Sequence, residues 1–174
     1  MPAIFTIGHS TRKIEDFITL LQTHGVEELI DIRTVPRSRT NPQYNRDTLP
    51  TSLEPVDIGY RHMGELGGLR HPRPDSPNTA WRNANFRGYA DYMQTPQFTE
   101  AIARLIELGR EKQIAIMCAE AVPWRCHRSL VADALSARDI AVEHIMSPTK
   151  RQPHKFTPFA QIENTRVWYP GLVS

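Results

Sequence analysis

The amino-acid sequence predicts an α/β fold: a mostly parallel sheet with helices on both faces, in a Rossmann-like three-layer arrangement that carries long irregular loops. Two observations predict it. Short, strongly apolar runs alternate along the chain with segments whose apolar residues recur at helical spacing. The first three such segments make a strand, a helix and a strand within residues 3–32, a βαβ unit whose strands should run parallel with a right-handed crossover.

Each element has its own grounds. Ala3, Ile4, Phe5, Thr6 and Ile7 read as a buried strand. Gly8-His9-Ser10-Thr11 turns into a helix whose apolar face carries Ile14, Phe17, Ile18 and Leu21. Glu15 and Asp16 occupy its first turn, where the helix dipole favours acids, and Gly25 is its stop. Glu28–Ile32 is the second strand. Residues 33–57 are polar, proline-rich and aperiodic, Asp57–His62 is a candidate short strand, and residues 64–85 are irregular around Gly67 and Gly68. Loops of such length in a compact domain are usually functional or disordered. Phe86–Met93 reads as a short helix. Thr95-Pro96 is a cap followed by a first-turn proline, opening a helix with Phe98, Ile102, Leu105 and Ile106 on one face. Ile114–Cys118 is the clearest buried strand after it. Leu130, Val131, Ala134 and Leu135 mark another helix, and Ile140–Met146 another strand.

The chain of 174 residues suits one domain spanning residues 1–174, with residues 147–174 as a basic, proline-rich extension packed on it. At 40% hydrophobic and 23% charged it is globular in composition, and a net charge of +2 imposes neither a nucleic acid nor a membrane as partner. Met1–Ile7 is too short for a signal peptide, and no stretch approaches the roughly 20 apolar residues of a membrane span. The two cysteines, Cys118 and Cys126, are too few for a disulfide framework. These features predict a cytoplasmic protein with reduced thiols and no membrane partner. They specify no oligomeric state.

In parallel sheets ligands bind outside the carboxyl ends of the strands, and three polar clusters fall there. The first is Gly8-His9-Ser10-Thr11. Glycine permits close backbone approach, and the following helix N-terminus can receive an anion; the competing reading makes Ser10 or Thr11 a simple helix cap. His9 has no capping duty. The second begins at Asp31 and runs through Arg33, Arg37 and Ser38. Four arginines and no acid lie between Arg33 and Arg46, and arginine binds phosphate or carboxylate bidentately. A solvated basic loop is the alternative there, except for Arg33, which stands at the strand end. The third, Cys118 to Arg128, is the most specific. Cys126 and His127 are expected at the start of a helix, where the dipole, Arg125 and Arg128 favour a thiolate. A thiolate with an imidazole can serve as nucleophile and acid or base, and Glu120 as general base or as the group that fixes His127. Adjacent side chains on a helix diverge, so contact between Cys126 and His127 is not required. Cys118, inside its strand, reads as a small buried hydrophobe.

Sharper motifs fail. A tyrosine-phosphatase-like loop needs five residues between cysteine and arginine, which neither cysteine provides. Cys118, Cys126, His127, His62 and His71 lack the spacing of a structural zinc site, so no metal ligands are assigned. No Walker loop or dinucleotide-binding glycine fingerprint is present, and no cofactor is identified.

Four separated motifs nevertheless form a pattern. Thr6-Ile7-Gly8-His9-Ser10, Asp31-Ile32-Arg33 with Pro36 and Ser38, Tyr60-Arg61-His62 with Leu66-Gly67-Gly68, and Met117-Cys118-Ala119-Glu120 with Pro123, Cys126, His127 and Arg128 resemble the family catalogued as domain of unknown function 488. The resemblance runs through almost the whole chain and implies a bacterial or archaeal cytosolic α/β protein. It implies no reaction.

The leading expectation is an enzyme for an anionic substrate, whether phosphorylated small molecule, nucleotide or nucleic acid. His9, Arg33 and Arg128, with Gly8, Ser10, Arg37, Ser38 and Arg125, would bind the anion; Cys126, His127, Glu120 and His9 would supply the chemistry. One alternative is a non-catalytic nucleic-acid-binding module built on Lys150, Arg151, His154 and Lys155 with Phe156, Phe159 and Trp168 as stacking surfaces. The competing view of that segment is a solvated tail whose aromatics pack back on the domain. The other alternative is a metal-dependent enzyme.

Overall fold

The structure, a computed structural model, describes residues 2–171. Six strands form one sheet: β1 (Ile4–Gly8), β2 (Glu28–Asp31), β3 (Gly59–His62), β4 (Ile114–Cys118), β5 (Val142–Ser147) and β6 (Lys150–Pro153), in the order β3-β2-β4-β1-β5-β6. Every pairing is parallel except that of β5 with β6. β1 and β2 are parallel as expected, but they are not neighbours: β4 lies between them, so the order differs from the 3-2-1-4-5-6 of dinucleotide-binding sheets. Nothing in the local pattern distinguishes these orders, because both give each inner strand two apolar faces.

Five helices cover the sheet: α1 (Ile14–Thr23), α2 (Leu49–Leu53), α3 (Ala84–Tyr92), α4 (Pro96–Glu111) and α5 (Arg128–Ser136). Successive side chains on a strand point to opposite faces, and the two cores follow that period. Phe5, Ile7, Leu29, Ala115 and Met117 pack with Phe17, Leu20 and Leu21 of α1 and Leu49 and Leu53 of α2. Ile4, Ile30, Ile116 and Cys118 pack with Phe98, Ile102 and Leu105 of α4, Tyr89 of α3 and Leu130 and Val131 of α5. The result is the predicted three-layer α/β arrangement.

Boundaries shift by a few residues from the sequence reading. α4 opens as expected, with Thr95 Oγ1 accepting from Phe98 N at 3.3 Å. α1 does not: its N-cap is Lys13, with no side-chain cap, so neither Ser10 nor Thr11 caps it. The loop of residues 33–57 is built from short turns of helix, including a 3-10 turn at Pro42–Tyr44 whose Tyr44 is fully buried.

The C-terminal segment is anchored at one buried carboxylate. Asp133 on α5 accepts from His154 Nε2 at 2.8 Å, Thr157 Oγ1 at 2.7 Å and Tyr169 Oη at 2.8 Å. His154 is linked in turn to His144, and His144 to Thr6, at 2.9 and 2.6 Å. Phe159 packs edge-on against Trp81 and Tyr169, while β7 (Gln161–Glu163) pairs with β8 (Arg166–Trp168) as a separate ribbon. Residues 172–174 of the predicted extension lie outside the described residues.

Candidate functional site

With β4 inserted between β1 and β2, the three polar clusters follow three adjacent strands. Their backbones are stitched together just beyond the strand ends: Ser10 N donates to Ala119 O at 2.9 Å and Ile32 N to Met117 O at 3.0 Å. Gly8 makes the close approach possible. A Cβ there would sit 1.9 Å from Glu120 O, a backbone atom that cannot give way. Above this rim opens a cavity of about 710 Å³, within the size range of small-molecule sites. His9, Ser10, Arg33, Arg37, Ser38, Glu120, Arg125, Cys126 and His127 all line it. Of the residues expected at the site, Gly8 and Arg128 do not line it.

The first cluster presents a neutral imidazole. His9 Nδ1 donates to Ser10 O at 2.8 Å, and its ring stacks on Tyr44 with centroids 4.3 Å apart. Burial, opposed in part by that hydrogen bond and assisted by Arg33, lowers its pKa to about 4. Ser10 is held in the left-handed region at φ 50°, uncommon for a non-glycine residue and a conformation that concentrates at functional sites.

In the second cluster Arg33 is largely committed inside the protein. Its Nε and Nη2 donate to Asp31 Oδ1 and Oδ2 at 2.9 and 2.7 Å, Nη2 also to Tyr44 O at 2.6 Å, and Nη1 to His9 Nε2 at 3.4 Å. Asp31 takes a further hydrogen bond from Tyr60 Oη at 2.5 Å. One Nη1 proton remains for the cavity, and Asp31 neutralises the charge. Among the described residues, the positive charges of the rim without a salt-bridge partner are instead Arg37 and Arg125, both exposed. Ser38 Oγ accepts from Asn41 N at 3.0 Å.

The third cluster departs from the sequence reading in four ways. First, α5 begins at Arg128, so Cys126 is not on a helix; it is extended, at φ −139° and ψ 153°. Its thiol therefore reaches the next side chain, with Cys126 Sγ 3.3 Å from His127 Nδ1. Second, Glu120 does not fix His127. Its Oε1 accepts from Val122 N at 3.3 Å, while His127 Nε2 donates to Ile32 O at 2.9 Å. That bond places the ring proton on Nε2 and leaves Nδ1 to accept from the thiol. Burial, against the hydrogen bond to Ile32, lowers the His127 pKa to about 4, so the ring is neutral at physiological pH. Third, Cys126 is not an isolated thiolate: the neighbouring Cys118 sulfur, then burial, push its thiol well up. Fourth, Arg128 is 1% exposed, turned inward, and donates through Nη2 to Ala121 O at 3.2 Å.

Sequence reasoning missed several participants. Cys118 lines the cavity although it is also part of the core. Asp31 and Arg33 are two residues apart at a strand end, a spacing that puts both on one side and was a legible sign of the pair. Thr34, Leu69 and Asn83, from the two irregular loops, and Phe86 of α3 complete the walls, and none of them carried a functional signal in the sequence. Leu69, Val35 and Trp124 are 65%, 59% and 61% exposed; the first two line the cavity, and the third adjoins Arg125.

Arg151 reaches Glu143 at 3.5 Å and lies over the Phe5 ring, and Arg166 lies over Trp168, so part of the basic C-terminal charge is engaged with the protein itself. Among the described residues no three His, Cys, Asp or Glu side chains converge as a metal-holding group. Among them also, no helix is long and apolar enough to cross a membrane.

One family model, Domain of unknown function DUF488, matches residues 13–135. The matched span holds the second and third clusters and begins after Gly8-His9-Ser10-Thr11. Neither a curated protein nor a solved structure matches the chain.

Proposed function

Because the chain belongs to the Domain of unknown function DUF488 family, whose description names no reaction, we propose its function from the site itself: an enzyme acting on an anionic substrate, a phosphate ester, nucleotide or nucleic-acid end, through a Cys126–His127 pair. The observation that carries this reading is the 3.3 Å contact between Cys126 Sγ and a His127 Nδ1 left unprotonated by the Nε2 hydrogen bond to Ile32 O. A neutral imidazole so oriented accepts the thiol proton as sulfur attacks an electrophilic centre, which is the arrangement of an activated nucleophile. Glu120 lines the same cavity for proton transfer, and the neutral His9, whose Nε2 accepts from Arg33 Nη1, orients that guanidinium. Arg37 and Arg125, aided by Ser10 and Ser38, draw in the anion; the remaining Arg33 proton gives a directed donor at the cavity floor.

The reading is tested by screening turnover of phosphate monoesters, phosphodiesters and nucleotides, then comparing Cys126→Ser and His127→Asn with the parent. Both replacements should abolish the activity found while circular dichroism and Tm stay close to the parent. Turnover retained by Cys126→Ser removes the thiol from the mechanism. Substrates that show no preference for negative charge contradict the anionic assignment.

A further inference from the structure

The anion-binding groups account for only part of the cavity. A tetrahedral oxyanion takes the room of a few waters, each about 30 Å³ in the liquid, whereas the cavity holds about 710 Å³. The rest of its lining has a different chemistry. Val35 and Leu69 are 59% and 65% exposed, and both line it. Thr34 Oγ1 accepts from Leu69 N at 3.0 Å, which joins the two loops at this wall. Gly68, just before Leu69, passes so close to His127 that a Cβ on it would meet Nδ1 at 2.6 Å, so the wall adjoins the Cys126–His127 pair. Phe86 also lines the cavity, its ring backed by Trp81 in a stack with centroids 4.8 Å apart.

Two carboxamides stand with Phe86 at the start of α3. Asn83 Oδ1 accepts from Asn85 N and Phe86 N at 2.8 and 3.3 Å, which fixes that amide and leaves its Nδ2 donors outside the cap. The Asn85 side chain, exposed and lining the cavity, makes no hydrogen bond among the described residues, so its amide offers a donor and an acceptor side by side.

These features narrow the substrate. A bare phosphate would leave the apolar wall wet. A sugar phosphate would set hydroxyls against Val35, Leu69 and Phe86. An alkyl or plain aryl phosphate would cover the apolar wall but take the amides out of water without partners, which costs affinity. A nucleobase satisfies both halves: its face lies on apolar and aromatic side chains, and its edge carries the adjoining donors and acceptors that a carboxamide pairs with. We propose that the substrate is a nucleoside phosphate, either a free nucleotide or the terminal one of a strand, whose base is held by Phe86, Leu69 and Asn85 while Arg37 and Arg125 hold its phosphate. The phosphate half rests on the function proposed above; the base half rests on the wall of Leu69, Phe86 and Asn85.

The test is calorimetric titration of the full chain with AMP, GMP, CMP, UMP, their nucleosides, ribose 5-phosphate and inorganic phosphate. At least one nucleotide should bind about tenfold or more tighter than ribose 5-phosphate, the size expected of one stacked base. Phe86→Ala should remove most of that ratio. Asn85→Ala, which deletes no internal hydrogen bond, should shrink it by about fivefold or more, the size of one bidentate amide–base pair, and covers the case where Phe86→Ala does not fold. Nucleotides that bind no tighter than ribose 5-phosphate overturn the base site and leave the anionic reading intact, and a ratio unchanged in Asn85→Ala overturns it as well. Nucleosides that bind as tightly as their nucleotides sink the anionic reading alone. Failure of every phosphate compound to bind sinks both. A 5′-phosphorylated dinucleotide separates the two sources: binding as tight as the mononucleotide identifies a strand end, and binding about tenfold weaker identifies the free nucleotide.

Discussion

Asp31 holds together the deepest electrostatic contact under the cavity, and removing it isolates the consequences of that contact. In Asp31→Ala the Arg33 guanidinium loses its Nε partner and its ion pair through Nη2, keeping only Tyr44 O there, and Tyr60 Oη loses its acceptor. Asp31 is fully buried and Arg33 is 7% exposed, so water cannot replace what is lost. Breaking a buried pair by deleting one partner costs about 3–5 kcal/mol, since the other charge is left uncompensated. In a chain of this size each kcal/mol lowers Tm by about 2–4 °C, which predicts a fall of roughly 6–20 °C. The exposed pair Arg73–Asp75 is the internal control: its 2.9 Å contact lies in solvent, and Asp75→Ala should cost less than about 1 kcal/mol. Adding Arg33→Met to Asp31→Ala removes the stranded charge and should recover part of the loss. Urea and thermal unfolding of the four proteins give the numbers. An Asp31→Ala loss no larger than that of Asp75→Ala would refute the buried-pair argument.

Three more outcomes follow from the geometry. His9 and His127 have native pKa values lowered to about 4 and His144 to about 3, against 6.5 unfolded, so the unfolded chain takes up protons first. Stability should be full above pH 6.5 and fall between about 6.5 and 4, at up to about 1.4 kcal/mol per pH unit for each histidine, as measured by urea unfolding across pH; stability that rises on acidification in this window would oppose the assignment. Gly8→Ala places a Cβ against the Glu120 carbonyl and should destabilise by about 3 kcal/mol or more in the same assay, whereas a neutral effect would mean that the β1 and β4 ends do not meet. Gly68→Ala puts a Cβ 2.6 Å from His127 Nδ1, so the folded variant should show slower alkylation of Cys126, and an unchanged rate would place His127 elsewhere.

How far the sequence revealed the site differs by element. β1, β2 and β4 were legible because each is an apolar run bounded by polar residues, and the rule that ligands gather at strand ends turned that into a location. The strand order was not legible, although it is what makes the clusters neighbours, because insertion of β4 between β1 and β2 is a tertiary outcome with no local pattern. The error over Cys126 and His127 was one of boundary: a helix start placed two residues early predicts divergence, while an extended Cys126 allows contact. Arg128 was misjudged because charge on a helix normally means solvent, and its burial follows from α5 packing on both faces. Of the two roles open to Glu120 at its strand end, general base or the group that fixes His127, the second does not occur, because the Val122 N–H lies closer to hand. Arg33 was located correctly, and the partner that occupies it, Asp31, was overlooked.

The central claim is that Cys126 sits beside a proton-accepting His127 in a cavity that selects anions. Paired alkylation measures this without a known substrate: the rate at Cys126, read by peptide mapping, is compared for anionic iodoacetate and neutral iodoacetamide. The account predicts that iodoacetate is favoured relative to a free thiol, that salt and the double change Arg37→Gln with Arg125→Gln erase the preference, and that His127→Asn slows both reagents. Equal or weaker reaction with iodoacetate than a free thiol shows, together with indifference to His127→Asn, would contradict it.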